Sequence, residues 1–246
     1  DYLPLLAGSA YEKVSIRDAM QMASGVAWVE DYTDPQSDIT STGGSALDRL
    51  RYLRKKPRVS PSGQVFNYNT AETNLLGAVL RAAIGNNLST YLEHKIWRPF
   101  GMEHGATWLL LAPDGAEHAG CCLSATLRDY GRIGLFAMRN GRLRNGTPVL
   151  PDGWMAESTT PSRANQGYGY LWWLNGGPFV ARGNGQKRQG RLIPAAPKDM
   201  YAAQGKLNRR LYVLPTHQLV ITRLGDQPSR TFNTEFFKRL RSAKGK

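Results

Sequence analysis

The stretch "YAAQGKLNRRLYVLPTHQLVITRLG", residues 201–225, limits the possible folds more than any other part of the chain. Three runs rich in aromatic and β-branched residues are separated only by the links KLN and TH. Links that short cannot carry a crossover, so the three runs must pair as an antiparallel meander. "YGYLWWL" upstream, at residues 168–174, has the same strand composition. "SRTFNTEFFKRLRSA" downstream has helical spacing, which predicts Phe232, Phe236, Phe237 and Leu240 on a buried side.

The first two-thirds reads differently. Ser15 is a good N-cap for Ile16, Ala19, Met20 and Ala23, and Gly25 fits a helix stop. "AWVEDYTDPQSDITSTGGSA" reads as a long polar loop of the kind that often carries function. "LDRLRYLRKKPRV" reads as a short basic helix ending before Pro57. In "FNYNTAETNLLGAVL" either Asn69 or Thr70 can cap a helix. Its expected apolar stripe is Leu75, Leu76, Val79, Leu80 and Ala83, with Gly85 at the end. Two further amphipathic helices end at Pro99 and Gly141, and a short one precedes Pro161. Helices first, then an antiparallel sheet, then a covering helix make the class α+β. The division is a mainly helical part at 1–165 and a sheet part at 166–246.

Composition excludes some functions. The longest apolar run, "WLLLAP", is core-sized and far below the roughly 18 residues of a membrane span. The net charge of +13 invites a polyanionic partner, but no nucleic-acid-binding signature accompanies it, so nucleic-acid binding stays a third reading. The four histidines lack metal-ligand spacing, so no metal and no cofactor is expected. Cys121 and Cys122 are adjacent, and the expectation is two buried thiols without a bridge. The segment starting at Asp1 reads as mid-protein sequence, neither an initiator nor a signal peptide. Periplasm and cytoplasm both stay open as compartments.

Taken in order, these segments resemble the serine β-lactamase-like hydrolases. The resemblance is to class C β-lactamases, class VIII esterases and especially 6-aminohexanoate-dimer hydrolases. "VSIRDAMQMASGVAWVEDYTDPQSD" is similar to the family's Ser-Gly-terminated helix and active-site loop. "SGQVFNYNTAETNLLGAVL" is similar to the stretch with the catalytic Tyr-x-Asn or Tyr-x-Ser motif. "IWRPFGME", "LSATLRDYGRIGLF" and "GYGYLWW" match the framework, and "YAAQGKLNRRLYVLPTHQLVITRLG" matches the strand of the Lys-Thr-Gly triad. The implied fold is β-lactamase/transpeptidase-like, with the N-terminal strands missing from this sequence.

The implied chemistry is acyl transfer through a serine ester, followed by hydrolysis. Tyr68 falls on the motif tyrosine, which lies beside the serine and lysine and shuttles the proton. Asn69 falls on the variable place and Thr70 on the Asn/Ser place, keeping a hydroxyl but no amide. Ala203, Gln204 and Gly205 fall on the Lys-Thr-Gly triad. Ala203 cannot bind a penicillin carboxylate, which turns the expected substrate toward esters or small amides. The backbone N–H of Lys206 is the expected oxyanion donor. Tyr32 resembles the loop tyrosine that closes over substrate, and Gln204, Gly205, Thr70 and Asn69 complete the expected substrate contacts. One of Trp172 and Trp173 at most can line a cleft, since neighbouring strand residues face opposite sides. "ARGNGQKRQGRLIPAAPK" reads as an insertion, either a flap or a solvated loop. None of the serines has a lysine three residues later, so the nucleophilic Ser-x-x-Lys segment is expected upstream. Alone, the chain is expected to be inactive, and the alternative is a non-catalytic remnant that binds a partner.

Overall fold

The computed structural model describes residues 2–113, 115–181, 185–225 and 231–244. Two compact units are present. The first comprises Asp1–Arg98, Gly105–Ser124 and Ala181–Gln186, the second Pro99–His104, Ala125–Val180 and Lys187–Lys246. The change of texture at residue 165 falls inside the second.

The first unit is mainly helical. Helix α1 (Ile16–Met20) starts at Ser15, whose hydroxyl accepts from the Asp18 N–H. It ends at Gln21 rather than near Gly25, because Met22 turns into the left-handed region at φ 54°. The loop that follows is more folded than its composition suggests. It contains a turn of helix, α2 (Asp38–Ser41), whose Asp38 carboxylate accepts from the Val29 N–H at 2.8 Å and from Lys56 at 2.6 Å. Helix α3 (Ala46–Arg54) opens with a reciprocal Ser45–Asp48 capping box.

Helix α4 (Thr70–Ile84) is capped by Asn69, whose side chain accepts from the Glu72 N–H, so Thr70 lies inside the helix. Its buried face is Ala71, Glu72, Leu75 and Gly77, whereas Leu80 and Ala83 are exposed. The expected stripe is therefore rotated, because α4 packs on α1 and α3 and buries Ala71 and Leu75 in a core with Leu6, Val26, Trp28 and Leu53. Helix α5 (Leu88–Leu92) runs on into a π-helical turn at Glu93–Trp97. A small ribbon, β1 (Thr107–Trp108) with β2 (Leu123–Ser124), completes the unit. Leu109 and Leu110 of the "WLLLAP" run are exposed.

The second unit is a covered sheet. Helices α6 (Leu127–Met138) and α7 (Trp154–Ser158) precede β3 (Trp173–Leu174), β4 (Phe179–Val180), β5 (Lys187–Arg188), β6 (Tyr201–Gln204), β7 (Arg210–Leu214) and β8 (Leu219–Arg223). Helix α8 (Phe232–Lys244) follows. The main sheet has the order β3-β6-β7-β8, all antiparallel, so the meander is as expected. Strand β7 is buried on both faces. Val213 packs with Ala137 of α6, and Tyr212 meets Phe237 of α8 edge-on at 5.2 Å. A strand covered by helices on both sides reads as a continuous apolar run rather than an alternating one, as "LYVL" does. Phe237 is buried and Phe232 is exposed, with the Arg223 guanidinium 4.6 Å from its ring centre. Trp173 packs on Tyr168 and Trp172 on Tyr201, so both rings belong to aromatic pairs.

The expected insertion is only partly loop, and its residues 182–184 lie outside the described residues. Strand β5 pairs with β4, and the fully buried Asn175 holds the segment beyond it. Its amide accepts from the Ile193 N–H and donates to the carbonyls of Ile193, Ala196 and Pro197. Arg191 turns back to bond Ala196 and Pro194.

Helix α6 approaches the sheet at Gly134, where a Cβ would lie 2.5 Å from Val220 Cγ1 and 2.8 Å from Leu211 Cδ1. Gly134→Ala is expected to destabilise the protein by about 1–3 kcal/mol through overpacking, despite alanine's better helix propensity. Chemical denaturation of the two proteins measures the difference.

Candidate active site

The tyrosine motif is fixed from both sides. Asn67 donates its backbone N–H to the Met22 carbonyl at 2.8 Å and its side-chain amide to the Trp28 carbonyl at 3.0 Å. On the other side Asn69 caps α4. Tyr68 sits between these anchors, half-buried, directly before the cap residue. The backbone that carries its phenol is thus set by bonds to two other segments of the first unit.

Asn69 is turned inward. Its side chain is 1% exposed, its carbonyl serves the Glu72 N–H at 3.2 Å and its amide donates to Glu72 Oε1 at 3.3 Å. Its side chain caps the helix.

Glu30 is the residue that the sequence did not single out. Its carboxylate is 5% exposed and accepts from Trp28 Nε1 at 2.5 Å, Tyr32 OH at 2.7 Å and the Thr70 N–H at 3.1 Å. The Thr70 hydroxyl also donates to it. The carboxylate sits at the N-terminus of α4, where the helix dipole favours negative charge. Tyr32 and Thr70 are thereby brought together, with their oxygens 3.5 Å apart. Tyr32 is 39% exposed. The signal in the sequence was Trp28, Glu30 and Tyr32 at alternate positions in "WVEDY", which places three polar handles on one face of an extended segment.

A second buried acid lies in the first turn of α4. Glu72 Oε1 accepts from Ser24 and from Tyr11 OH at 3.4 Å, while Oε2 has no hydrogen-bond partner among the described residues. Burial raises its pKa to about 8, against the bonds from Ser24, Tyr11 and Asn69, which lower it. The fold therefore holds a proton on Glu72 over much of the neutral range.

In the second unit, Gln204 ends β6 opposite Arg210. Strand β3 pairs only with Tyr201 and Ala202, so on that side Ala203 and Gln204 carry no ladder partner among the described residues. Gly205 donates its N–H to the Arg209 carbonyl at 2.9 Å, closing a tight turn. Lys206 opens the 3₁₀ turn Lys206–Asn208 and is exposed.

Cys121 and Cys122 correct the expectation of buried thiols. Both are exposed and their sulfurs are bonded to each other. A bridge between neighbours is strained in general, and Cys122 accommodates it with a left-handed backbone at φ 73°. Among the described residues no group of acidic, histidine or cysteine side chains is placed to hold a metal ion, and no helix is long and apolar enough to cross a membrane.

Two outcomes are expected from the buried acids. Glu72 has a folded pKa above its unfolded value, so its contribution to stability is complete below about pH 4.5 and fades as pH rises through about 8. Glu72→Gln should flatten the fall in stability across that window, seen in denaturation midpoints taken from pH 5 to 8. Glu30→Ala strands the Thr70 N–H and the Trp28 indole, and should cost about 2–4 kcal/mol. Glu30→Gln should cost less, and the same denaturation curves compare them.

Comparison with known proteins agrees with this architecture. The family model described as Beta-lactamase matches residues 1–237. The 6-aminohexanoate-dimer hydrolase of Paenarthrobacter ureafaciens is 26% identical over 199 residues, which are 72% of this chain and 50% of that protein. The chain thus spans about half the length of this relative. A Bacillus anthracis structure assigned as a 6-aminohexanoate-dimer hydrolase superposes with a TM-score of 0.71 at 20% identity, covering 98% of this chain and 65% of its own. A penicillin-binding protein from Bacillus halodurans superposes with a TM-score of 0.65 at 18% identity, over 98% of this chain and 76% of its own.

Proposed function

Because this chain belongs to the beta-lactamase family of hydrolases, we propose that it is the tyrosine-bearing part of a serine hydrolase that cleaves esters or small amides through an acyl-enzyme. The observation that carries this reading is the double anchoring of Tyr68, beside a Thr70 held by a buried carboxylate. A proton shuttle has to present its oxygen reproducibly to two reacting atoms, and a fixed backbone meets that need.

In this reading the serine Oγ attacks the substrate carbonyl while Tyr68, held as a phenolate by the neighbouring lysine ammonium, takes its proton. The tetrahedral oxyanion receives the backbone N–H of Lys206. Tyr68 then protonates the leaving oxygen or nitrogen, and water repeats the sequence on the ester. The 246 residues contain no Ser-x-x-Lys, so the serine and its lysine come from chain outside this sequence. Ala203, where penicillin binders carry a lysine, supplies no cation for a substrate carboxylate, which favours neutral esters or linear amides. The relationship to a 6-aminohexanoate-dimer hydrolase points the same way.

Thr70 and Tyr32 both give their hydroxyl protons to Glu30. With those protons committed, any substrate group that either hydroxyl meets is a donor, such as an amide N–H.

The test uses the full-length product of the native gene, exposed to a serine-reactive fluorophosphonate and weighed intact. One adduct is expected, on a product heavier than the 27.3 kDa of this chain. Tyr68→Phe should slow acylation by an ester substrate by about 10²–10⁴-fold. A product of this chain's mass with no adduct overturns the catalytic reading.

A further inference from the structure

The proposed chemistry makes no use of the cysteine pair. Yet the pair sits in a loop that is bonded into its surroundings at several points. The Trp108 indole N–H is 3.0 Å from both the His118 and Cys121 carbonyls. Leu109 donates its N–H to the Cys122 carbonyl at 3.2 Å, and His118 donates its own to the Leu109 carbonyl at 2.8 Å. Gly120, directly before the pair, donates its N–H to Asn74 Oδ1 of α4 at 3.1 Å. A Cβ on Gly120 would come 2.7 Å from Thr70 Cγ2. The loop therefore rests on the first turns of α4, on the residue of the tyrosine motif that Glu30 holds.

We propose that Cys121 and Cys122 are a reversible redox site, a solvent-accessible dithiol–disulfide pair whose state sets the seating of residues 118–122 on α4. The partner class is a small thiol compound. In the reductive direction, a thiolate of a dithiol attacks one cysteine sulfur and the other leaves as a thiolate. The second thiol of the reagent then displaces the mixed disulfide. Two electrons pass to the protein, both cysteine sulfurs take up protons, and the reagent departs as its own cyclic disulfide. A disulfide reagent such as oxidised glutathione reverses the sequence.

Three observations support the site. Both cysteines are exposed, so thiolate attack is unobstructed by burial. No other cysteine occurs in these 246 residues, so within them the pair has no competing partner. Cys122 lies in a backbone region that a residue with a Cβ adopts at a cost. Opening the bond lets Cys122 leave that region, and the Gly120 contacts with Asn74 and Thr70 loosen as it does.

The test needs no activity and no knowledge of the substrate. The full-length product of the native gene is equilibrated with oxidised glutathione, and a portion is then treated with dithiothreitol. The peptide that carries Cys121 and Cys122 is expected to gain about 2 Da on reduction, with two carbamidomethyl groups added by iodoacetamide after reduction and none before. Hydrogen exchange read by mass spectrometry should show faster exchange in the peptide containing Gly120 in the reduced form, and slow exchange again after reoxidation. The Cys121→Ser, Cys122→Ser double variant should exchange as the reduced form does, whatever the reagent. Alkylation of both Cys121 and Cys122 in the oxidised sample, a bond between two chains, or identical Gly120 exchange in both states would each overturn the proposal.

Discussion

A single buried carboxylate organises the first unit around the tyrosine motif. Glu30 takes bonds from an indole, a phenol, a hydroxyl and a backbone N–H, so its lone pairs are well used without a cation. A buried carboxylate without such donors would be very costly, and with them it becomes a joint that can be made in one way. The consequence runs along the chain. The segment at Trp28–Tyr32 is tied to the first residue of α4, the Asn69 cap fixes where that helix begins, and the position of Tyr68 follows from both. Replacing the joint with apolar groups would leave Thr70 and Tyr32 with nothing to align them.

The second unit solves a different problem. Its sheet has almost no alternation to give it an inside and an outside, because α6 and α8 cover both faces of β7. Register is instead held by short turns and by close helix–sheet approach at Gly134. The tight turn at Gly205–Arg209 ends β6 where its β3-side neighbour has already stopped. Among the described residues, that leaves Ala203 and Gln204 without a ladder partner on one side.

The meander was legible because links too short for a crossover admit one pairing, and the links at 205–209 and 215–218 are a residue or two longer than the composition suggested without changing it. The cap at Ser15 was legible because a short polar side chain before an apolar run has a local cause, whereas two such side chains in a row left Asn69 and Thr70 open until the structure chose Asn69. The face of α4 was not legible. Leu80 is as apolar as Leu75, and which of them is buried depends on where α1 and α3 lie. Glu30 was hidden for a related reason: an acid in a polar loop is ordinarily solvated, and only the arrival of Thr70 from 40 residues away makes it central. The cysteine pair was misread because strain argues against a vicinal bridge in general, while one residue in a left-handed conformation suffices to admit it.

The Asn175 anchor has a consequence for how this chain can vary. Ordinarily a segment is held to a sheet by a ladder of backbone bonds, and its length is then fixed by register. Here one side-chain amide reaches three carbonyls and an N–H, and so gathers residues 193–197 at a point rather than along a line. Between that point and the pairing of β5, Gln189 and Gly190 are exposed and set no register. Extra residues placed there would cost mainly loop-closure entropy, about 0.6 kcal/mol for each doubling of the loop. The same fold can therefore carry short or long crowns at this edge, and one asparagine is what makes the crown's length independent of the sheet beneath it.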